Sequence, residues 1–433
     1  MAAILGVIVY SITELVQVIM FVLGCYFFSI SIFSWVKKKE DSKVLNRPQK
    51  KFALLVAAHN EELVIGHSVF SLKKQNYPKD LYQIYVIADN CTDRTAEIAR
   101  TSGAKVLSRE NELLRGKGYA LQWAFDKIFE GEEQFDAVAV FDADNLVSSN
   151  FLIEMNKQLL KGYKAVQGYI DSKNPFDSWI TCSYSIAFWL ANRLFQLPRY
   201  YLGLSCSLCG TGFCVDTSVL KKIGWGASCL TEDLEFTMKL ALNDIKVGWA
   251  NEAIVYDEKP ITLKQSWAQR KRWMQGHVDC AGRFLVPLLS KAFKGGDLTA
   301  FDSAVYLFQP VRFICMGLIT IMLWVKTIYP EVPFYHYKSM FSSGMWYWFI
   351  AFQLVYGPFV AWVEKKINAF TLMGFFVYPL YCVTWVPITI QGFLGRKNKN
   401  WSHTAHTRAM EIAEVEGSLA REGFTQSAIV EKR

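Results

Sequence analysis

Residues 4–35 are almost continuously apolar, interrupted by Thr13, Glu14 and Gln17. At about 1.5 Å per residue the run exceeds a hydrocarbon core of about 30 Å, which predicts a tilted or protruding membrane helix. Trp35 and Lys37-Lys38-Lys39 follow as an anchor on the cytoplasmic side. Glu14 either lines a polar path through the membrane or sits near the outer headgroups. The period then changes. Residues 52–58 form a short apolar run that stops at His59-Asn60-Glu61-Glu62, and 61–75 reads as a helix. Ile84 to Ala88 runs into Asp89-Asn90-Cys91-Thr92-Asp93, and Val138 to Phe141 into Asp142-Ala143-Asp144. Each apolar strand ends in acidic or amide residues before a helix. Such βαβ alternation sets polar groups at the carboxyl ends of parallel strands, where α/β folds bind ligands.

Residues 176–205 are aromatic and nearly free of charge, which suggests an amphipathic helix on the membrane or an internal hairpin, and 278–292 is a second interfacial candidate. Three more apolar segments follow at 301–328, 344–363 and 369–394. If all three crossed the membrane, Arg396-Lys397 would emerge outside, against the bias of cytoplasmic positive charge. Pro379 and Pro387 interrupt the last segment, so a re-entrant or broken helix and an intracellular tail are expected. The predicted organisation is a membrane helix at 1–36, a soluble domain at 48–277, an interfacial helix at 278–297, a membrane region at 298–395 and a polar tail at 396–433.

Composition supports this division: 52% of residues are hydrophobic, 15% aromatic and only 20% charged, as for a globular domain fused to membrane helices. The net charge of +8 is scattered. Lys365-Lys366 and Arg396-Lys397-Asn398-Lys399 flank apolar runs, a membrane pattern and not a nucleic-acid surface. The ten cysteines are dispersed, and Cys206-x-x-Cys209 lacks a second pair at zinc spacing. Buried thiols in a reducing compartment are expected.

Two carboxylates at Asp142 and Asp144, on a strand-end turn, suit a hard divalent cation that also binds substrate phosphates. Arg115-Gly116-Lys117-Gly118 sets cations and flexible backbone before a helix, an arrangement that suits a diphosphate. Thr231-Glu232-Asp233 precedes the apolar run Leu234 to Leu242, where Thr231 reads as a helix cap and an acid at the helix start reads as a general base for a sugar hydroxyl. Gln269-Arg270-Lys271-Arg272-Trp273 offers cations for phosphate oxygens and an indole face for a sugar ring.

In this order and spacing the clusters resemble the membrane-embedded family 2 glycosyltransferases, the cellulose, chitin, hyaluronan and poly-N-acetylglucosamine synthases. Ala58-His59-Asn60-Glu61, Asp89, Arg115-Gly116-Lys117, Asp142-x-Asp144, Cys209-Gly210-Thr211-Gly212, Thr231-Glu232-Asp233 and Gln269-x-x-Arg272-Trp273 carry the resemblance over roughly residues 50–280. It implies an α/β GT-A-type (Rossmann-like) cytosolic domain inserted between N- and C-terminal transmembrane helices, with amphipathic interface helices, in the plasma membrane. It also implies that Ala58, Asn60, Glu61, Asp89, Lys117, Asp142 and Arg272 bind the nucleotide, Asp89 at the uracil and Arg272 on the departing diphosphate. Asp144 and Asp142 would hold Mg²⁺ or Mn²⁺. Asp233, with Glu232 beside it, would be the catalytic base. Trp273, Gln269, Cys209, Gly210 and Thr211 would contact the acceptor.

An inverting displacement with one base follows from the resemblance, giving a β-linked product, in contrast to the two-carboxylate glycosidases. The implied partners are a UDP-sugar, a nascent glycan and membrane lipid, with a homodimer or accessory secretion subunits completing the path. The Cys-Gly-Thr element leans slightly towards UDP-glucose, with N-acetylglucosamine left open as the donor sugar. No PilZ-like extension follows the last apolar segment, and Trp401 to Arg408 sits where cellulose synthases carry a gating loop without having that loop's sequence. Three readings stand. The leading one is a processive synthase that feeds a polymer through its own channel. A transferase adding one sugar to a lipid or lipid-linked acceptor and a non-catalytic transporter are the others; two carboxylate clusters in the soluble insert argue against the last.

Overall fold

The computed structural model describes residues 2–36, 47–226, 228–330, 343–398 and 406–424. Lys37-Lys38-Lys39, Lys399 and Trp401 to Ala405 lie outside the described residues. The apolar N-terminal run forms helix α1 (Ala2–Ile32). The soluble domain then alternates β1 (Phe52–Ala58), α2 (Ile65–Lys73), β2 (Tyr82–Asp89), α3 (Thr95–Thr101), β3 (Lys105–Arg109), α4 (Lys117–Glu130) and β4 (Ala137–Asp142). It continues through β5 (Leu146–Val147), α5 (Phe151–Leu160), β6 (Ala165–Ser172), α6 (Trp179–Ala191), α7 (Leu197–Leu202), β7 (Phe213–Asp216), α8 (Thr217–Ile223), α9 (Glu232–Leu242) and β8 (Val247–Asp257).

The eight strands form one sheet in the order β3-β2-β1-β4-β7-β6-β8-β5. β1, β2, β3 and β4 are mutually parallel, and β7 runs antiparallel to β4 and β6. Helices cover both faces, so β1 is apolar on both sides: Leu55 belongs to one buried core with Phe125 and Trp189, and Leu54 and Val56 to another with Val69 and Phe151. Register places the chemistry. Ala58 pairs with Ala88 one residue before Asp89, and Ala57 pairs with Asp142, so these strand ends share one edge.

The stretch 176–205 differs from expectation. Ser178 and Thr181 cap α6 reciprocally. Ile180, Cys182, Tyr184, Ile186 and Trp189 are then buried. One π turn (Asn192–Gln196) joins α6 to α7. An aromatic helix with so little charge is packed inside the protein.

After β8, Thr262 caps α10 (Leu263–Gly295), which runs unbroken through 277 and 278 to Gly296 in the left-handed region. No helix breaker stands at 277–278, so the cationic motif and the expected interfacial helix form a single rod of 33 residues. Apolar segment 301–328 divides into α11 (Leu298–Leu307), which packs on α10, and α12 (Gln309–Ile328). Pro310, which has no N–H to donate, sits in the first turn of α12, where none is needed. α13 (Ser343–Val363) and α14 (Ala369–Leu394) follow, and α14 is continuous through both prolines where a break was expected. Among the described residues, four helices are long and apolar enough to cross a membrane: Ser11–Trp35, Gln309–Ile328, Gly344–Val363 and Ala369–Leu394.

The polar tail returns to the soluble domain as α15 (Ile412–Arg421), with Val415 and Leu419 buried and Phe424 against Trp189 and Phe176. α1 is tied to the domain by a buried network. The Tyr26 hydroxyl donates to Asp302 Oδ1 (2.8 Å), while Arg199 donates to both Asp302 oxygens (2.7 and 2.9 Å). Removing one partner strands the other charge in a low-dielectric site. Asp302→Ala should therefore cost about 3–5 kcal/mol of stability, measured as a lower melting temperature in detergent; an unchanged midpoint would refute this role.

Candidate active site

Three acidic strand ends meet at one point. β4 delivers Asp142, the following turn Asp144, and β8 Asp257, with carboxylate oxygens all within 4.8 Å of one another. Local bonds make the turn. The Asp142 N–H donates to Asn145 Oδ1 and Thr211 Oγ1 (3.1 Å each), and the Glu258 N–H donates to Asp144 Oδ2 (2.8 Å). Three anionic oxygens and no sulfur or imidazole fit Mg²⁺ or Mn²⁺, which bind through carboxylates and substrate phosphates.

Cations from distant parts of the chain face this cluster. Lys117, the first residue of α4, donates to Asp142 and to the Gly210 carbonyl (2.7 Å). Buried Lys173 donates to the Asp144 carbonyl (2.6 Å) and pairs with Glu258 (3.5 Å). His406 pairs with Glu61 (2.8 Å). Burial opposes charge on that imidazole, but Asp144, Glu61 and Glu258 together push its pKa up to about 10, so it is a cation at neutral pH.

A cavity of about 480 Å³ extends from this cluster. One end is walled by Ala58, Glu61, Asp89 and the Arg115-Gly116-Lys117 turn. Asp89 is fixed by an ion pair with Arg109, the residue opposite it on β3. In the middle stand Glu232 and Asp233, at the start of α9. Thr231 is the N-cap by position, although its side chain makes no cap bond. A Cβ on Gly276 would lie 2.8 Å from the Thr231 nitrogen, so only glycine lets α10 press against this turn. Arg283 of α10 pairs with Glu235 (2.9 Å) and secures the same turn.

Burial first, and the Glu232 charge second, raise the Asp233 carboxyl to about 7, against the Leu234 N–H and Lys117, which favour its anion. Gly210, with φ +79°, faces it: a Cβ there would sit 3.5 Å from Asp233 Oδ2. The far end of the cavity is aromatic. Trp273 and Tyr184 meet edge-on at 6.0 Å, with Tyr381 and Trp385 of α14 beside them. The Tyr184 hydroxyl donates to Gln269 Oε1 (2.9 Å). Tyr306 and Gln309, at the junction of α11 and α12, complete this end with His277, which burial pushes down to about 4 and keeps neutral.

Of the sequence-predicted residues, Ala58, Glu61, Asp89, Lys117, Asp142, Asp144, Cys209, Gly210, Thr211, Glu232, Asp233, Gln269, Arg272 and Trp273 all line this cavity. Asn60 is not among its lining residues: its side-chain oxygen accepts from the Thr92 N–H (2.8 Å), shaping the β1 loop from φ +55°. The Thr211 hydroxyl bonds Asn145 behind the acidic turn. Arg109, Lys173, Asp257, Glu258, His277, Tyr306 and His406 went unrecognised. Asp257-Glu258 ends an apolar strand as Asp142 does, and that signal was present. His406 lies in the segment Trp401 to Arg408 that its position after the apolar helices singled out, but no local pattern assigns that imidazole to the site, which it reaches by tertiary folding.

Residues 48–276 match the family described as "Glycosyltransferase like family 2". The chain is 25% identical to "Probable glycosyltransferase YdaM" of Bacillus subtilis, over 78% of this chain and 81% of that one. It is 31% identical to the "Beta-monoglucosyldiacylglycerol synthase" of Nostoc sp., over 52% of this chain and 48% of the relative, so it spans about half of that relative's length. With a "Poly-beta-1,6-N-acetyl-D-glucosamine synthase" of Staphylococcus epidermidis it shares 26% identity over 56% and 60% of the two chains. Among solved structures, a mannosyltransferase from Pyrobaculum calidifontis in complex with GDP-Man and Mn²⁺ overlays 90% of this chain and 99% of that one, at TM-score 0.60 and 16% identity. That likeness shows the GT-A, Rossmann-like fold.

The Glu232–Asp233 pair gives a measurable signature. Two buried carboxyls, Asp233 and Asp144, should titrate near pH 7 in difference infrared spectra of the metal-free protein, and Glu232→Gln, by removing the charge beside Asp233, should move one of the two midpoints down. A midpoint at the ordinary aspartate value in both proteins would contradict the geometry.

Proposed function

The chain belongs to glycosyltransferase family 2, and from that premise we propose an inverting transferase that moves a hexose, glucose foremost, from a UDP-sugar to an acceptor arriving from the membrane end of the cavity. One observation carries the reading: the Glu232 and Asp233 carboxyls, at the start of α9, line the same cavity as the acidic strand ends and an aromatic wall. A divalent cation held by Asp142, Asp144 and Asp257 would neutralise charge on the diphosphate leaving group.

The protein's own groups do the rest. Asp89, fixed by Arg109, and Ala58 border the end where the base and ribose fit. Lys117 and Arg272, both lining the cavity, would bind the diphosphate, and the Gly116–Lys117 backbone would turn the α4 N-terminus towards it. Asp233 removes the proton from the acceptor hydroxyl as the new bond forms at the anomeric carbon. A base near pH 7 is matched to that transfer. The sugar leaves UDP with inversion, yielding a β-glycoside and UDP. Trp273 offers its indole face to the acceptor ring, and Gln269, held by Tyr184, positions Trp273's helix.

The leading reading is a processive synthase in the plasma membrane, with the catalytic domain cytoplasmic and a β-glycan as product. The likeness to poly-N-acetylglucosamine synthases and the Gln269-x-x-Arg272-Trp273 wall support it. Single transfer to a diacylglycerol-type acceptor is the second reading. The higher identity to glucosyldiacylglycerol synthases and the aromatic membrane-side mouth favour it.

Asp233→Asn should lower transfer at least about 10³-fold while UDP affinity, measured by calorimetry with Mn²⁺, stays within about twofold. Strong residual transfer would remove Asp233 as the base. Incubating the purified protein with each radiolabelled UDP-sugar and sizing the product separates the two readings. A high-molecular-weight glycan, shortened in Trp273→Ala without loss of UDP affinity, is expected. A single-sugar, lipid-extractable product would establish the second reading instead.

A further inference from the structure

Both ends of α14 touch the catalytic body. Just before its first turn, Glu364 pairs with Arg193 (3.0 Å), Lys366 with Asp171 at the end of β6 (2.7 Å), and Asn368 donates to Glu422 (2.9 Å). At the other end the Trp267 indole N–H donates to Gln391 (2.9 Å) and Gln275 Nε2 to the Gly395 carbonyl (2.8 Å), both from α10. Its middle is held as well. Arg270 donates to Thr384 (2.8 Å) and lies 4.2 Å from the Tyr381 ring and 5.0 Å from Trp385.

A helix of 26 residues is about 39 Å long, enough to span a bilayer. A spanning helix, however, would carry one end about 30 Å away from the body on which the other rests. Chain length gives an independent constraint. Asn398 follows the C-terminal end of α14, and His406 is already in the catalytic cavity, paired with Glu61. Eight Cα steps separate them, at most about 29 Å when fully extended, which is too short to cross a hydrocarbon core of about 30 Å and still reach the cavity.

The surface of α14 agrees. Its outer stripe, Met373, Phe376, Leu380, Val383 and Leu394, is 57–83% exposed, at helical spacing, while Gly374, Tyr381, Ile388 and Gly392 face the protein. Arg396 and Lys397 follow at its end.

We infer that α14 does not cross the membrane: it lies in the plane of the leaflet on the catalytic side, its outer stripe sunk among lipid acyl chains. The chain then crosses three times, through α1, α12 and α13, and the basic end of α14 faces the headgroups on the catalytic side. Tyr381 and Trp385, at the aromatic end of the cavity, thus belong to an interfacial wall and not to a transmembrane pore.

Single cysteines test this by mass-tag labelling with an impermeant maleimide, before and after permeabilisation, each measured above the label taken by the native thiols. Leu113→Cys, on a side chain 95% exposed in the catalytic domain, reports the catalytic side. Lys365→Cys and Asn398→Cys should label in the same condition as Leu113→Cys, and Tyr329→Cys, at the end of α12, in the opposite one. Labelling of Asn398→Cys together with Tyr329→Cys would overturn the inference. A bimane on Phe376→Cys in vesicles of acyl-brominated phosphatidylcholine should lose at least half of its emission. Unquenched emission with dimer formation would show that a second copy covers the stripe, and would overturn the lipid contact.

Discussion

Crowding carboxylates into a buried cavity beside apolar helices is the constraint from which the rest follows. An ionised acid out of water is costly unless a cation or a fixed dipole answers it. Asp142, Asp144, Asp257 and Glu258 close the carboxyl ends of a sheet; Glu232 and Asp233 begin a helix opposite them. The compensating charges come from far apart in sequence: Lys117 from a helix start, Lys173 from beyond β6, His406 from beyond the apolar helices. Where compensation is incomplete, chemistry becomes available. Asp233 receives one backbone N–H and the field of Lys117 against burial and Glu232, and so keeps its proton affinity near neutrality.

α10 couples that cavity to the lipid-facing helices. Gln269, Arg272 and Trp273 face the cavity, while Arg270 and Gln275 hold α14, so one rod serves both sides. Arg270 is the buried arginine of the cluster, stacked among Tyr381 and Trp385, where a planar guanidinium fits and an ammonium would not.

Period and strand-end chemistry were sufficient to read the β1, β2 and β4 ends, the acidic pair at 142–144 and the membrane character of both flanks. Long apolar runs and abrupt switches to Asp or Asn survive without tertiary information. Helix continuity did not. Pro379 and Pro387 looked like breaks, yet the freed carbonyls do not interrupt a helix packed on α6 and α10. Hydropathy reports apolar length but not the direction of a helix axis relative to a membrane, so α14 is as long and apolar as a spanning helix although a re-entrant or broken segment was expected there. The tail looked polar and unattached because Val415, Leu419 and Phe424 are too sparse to announce a core contact. Arg109 was missed for a similar reason: its partner is a neighbour across the sheet and not along the chain.

The origin of His406 also sets an order of assembly. During synthesis the acidic strand ends, Asp233 and the cationic helix emerge before the C-terminal apolar helices, which must leave the ribosome before this imidazolium can dock on Glu61. Until then the pocket lacks one of its answering charges, and the tail helix that seats it has no partner. The last of the pocket's answering charges is thus supplied only by the end of the chain, after every apolar helix has been made.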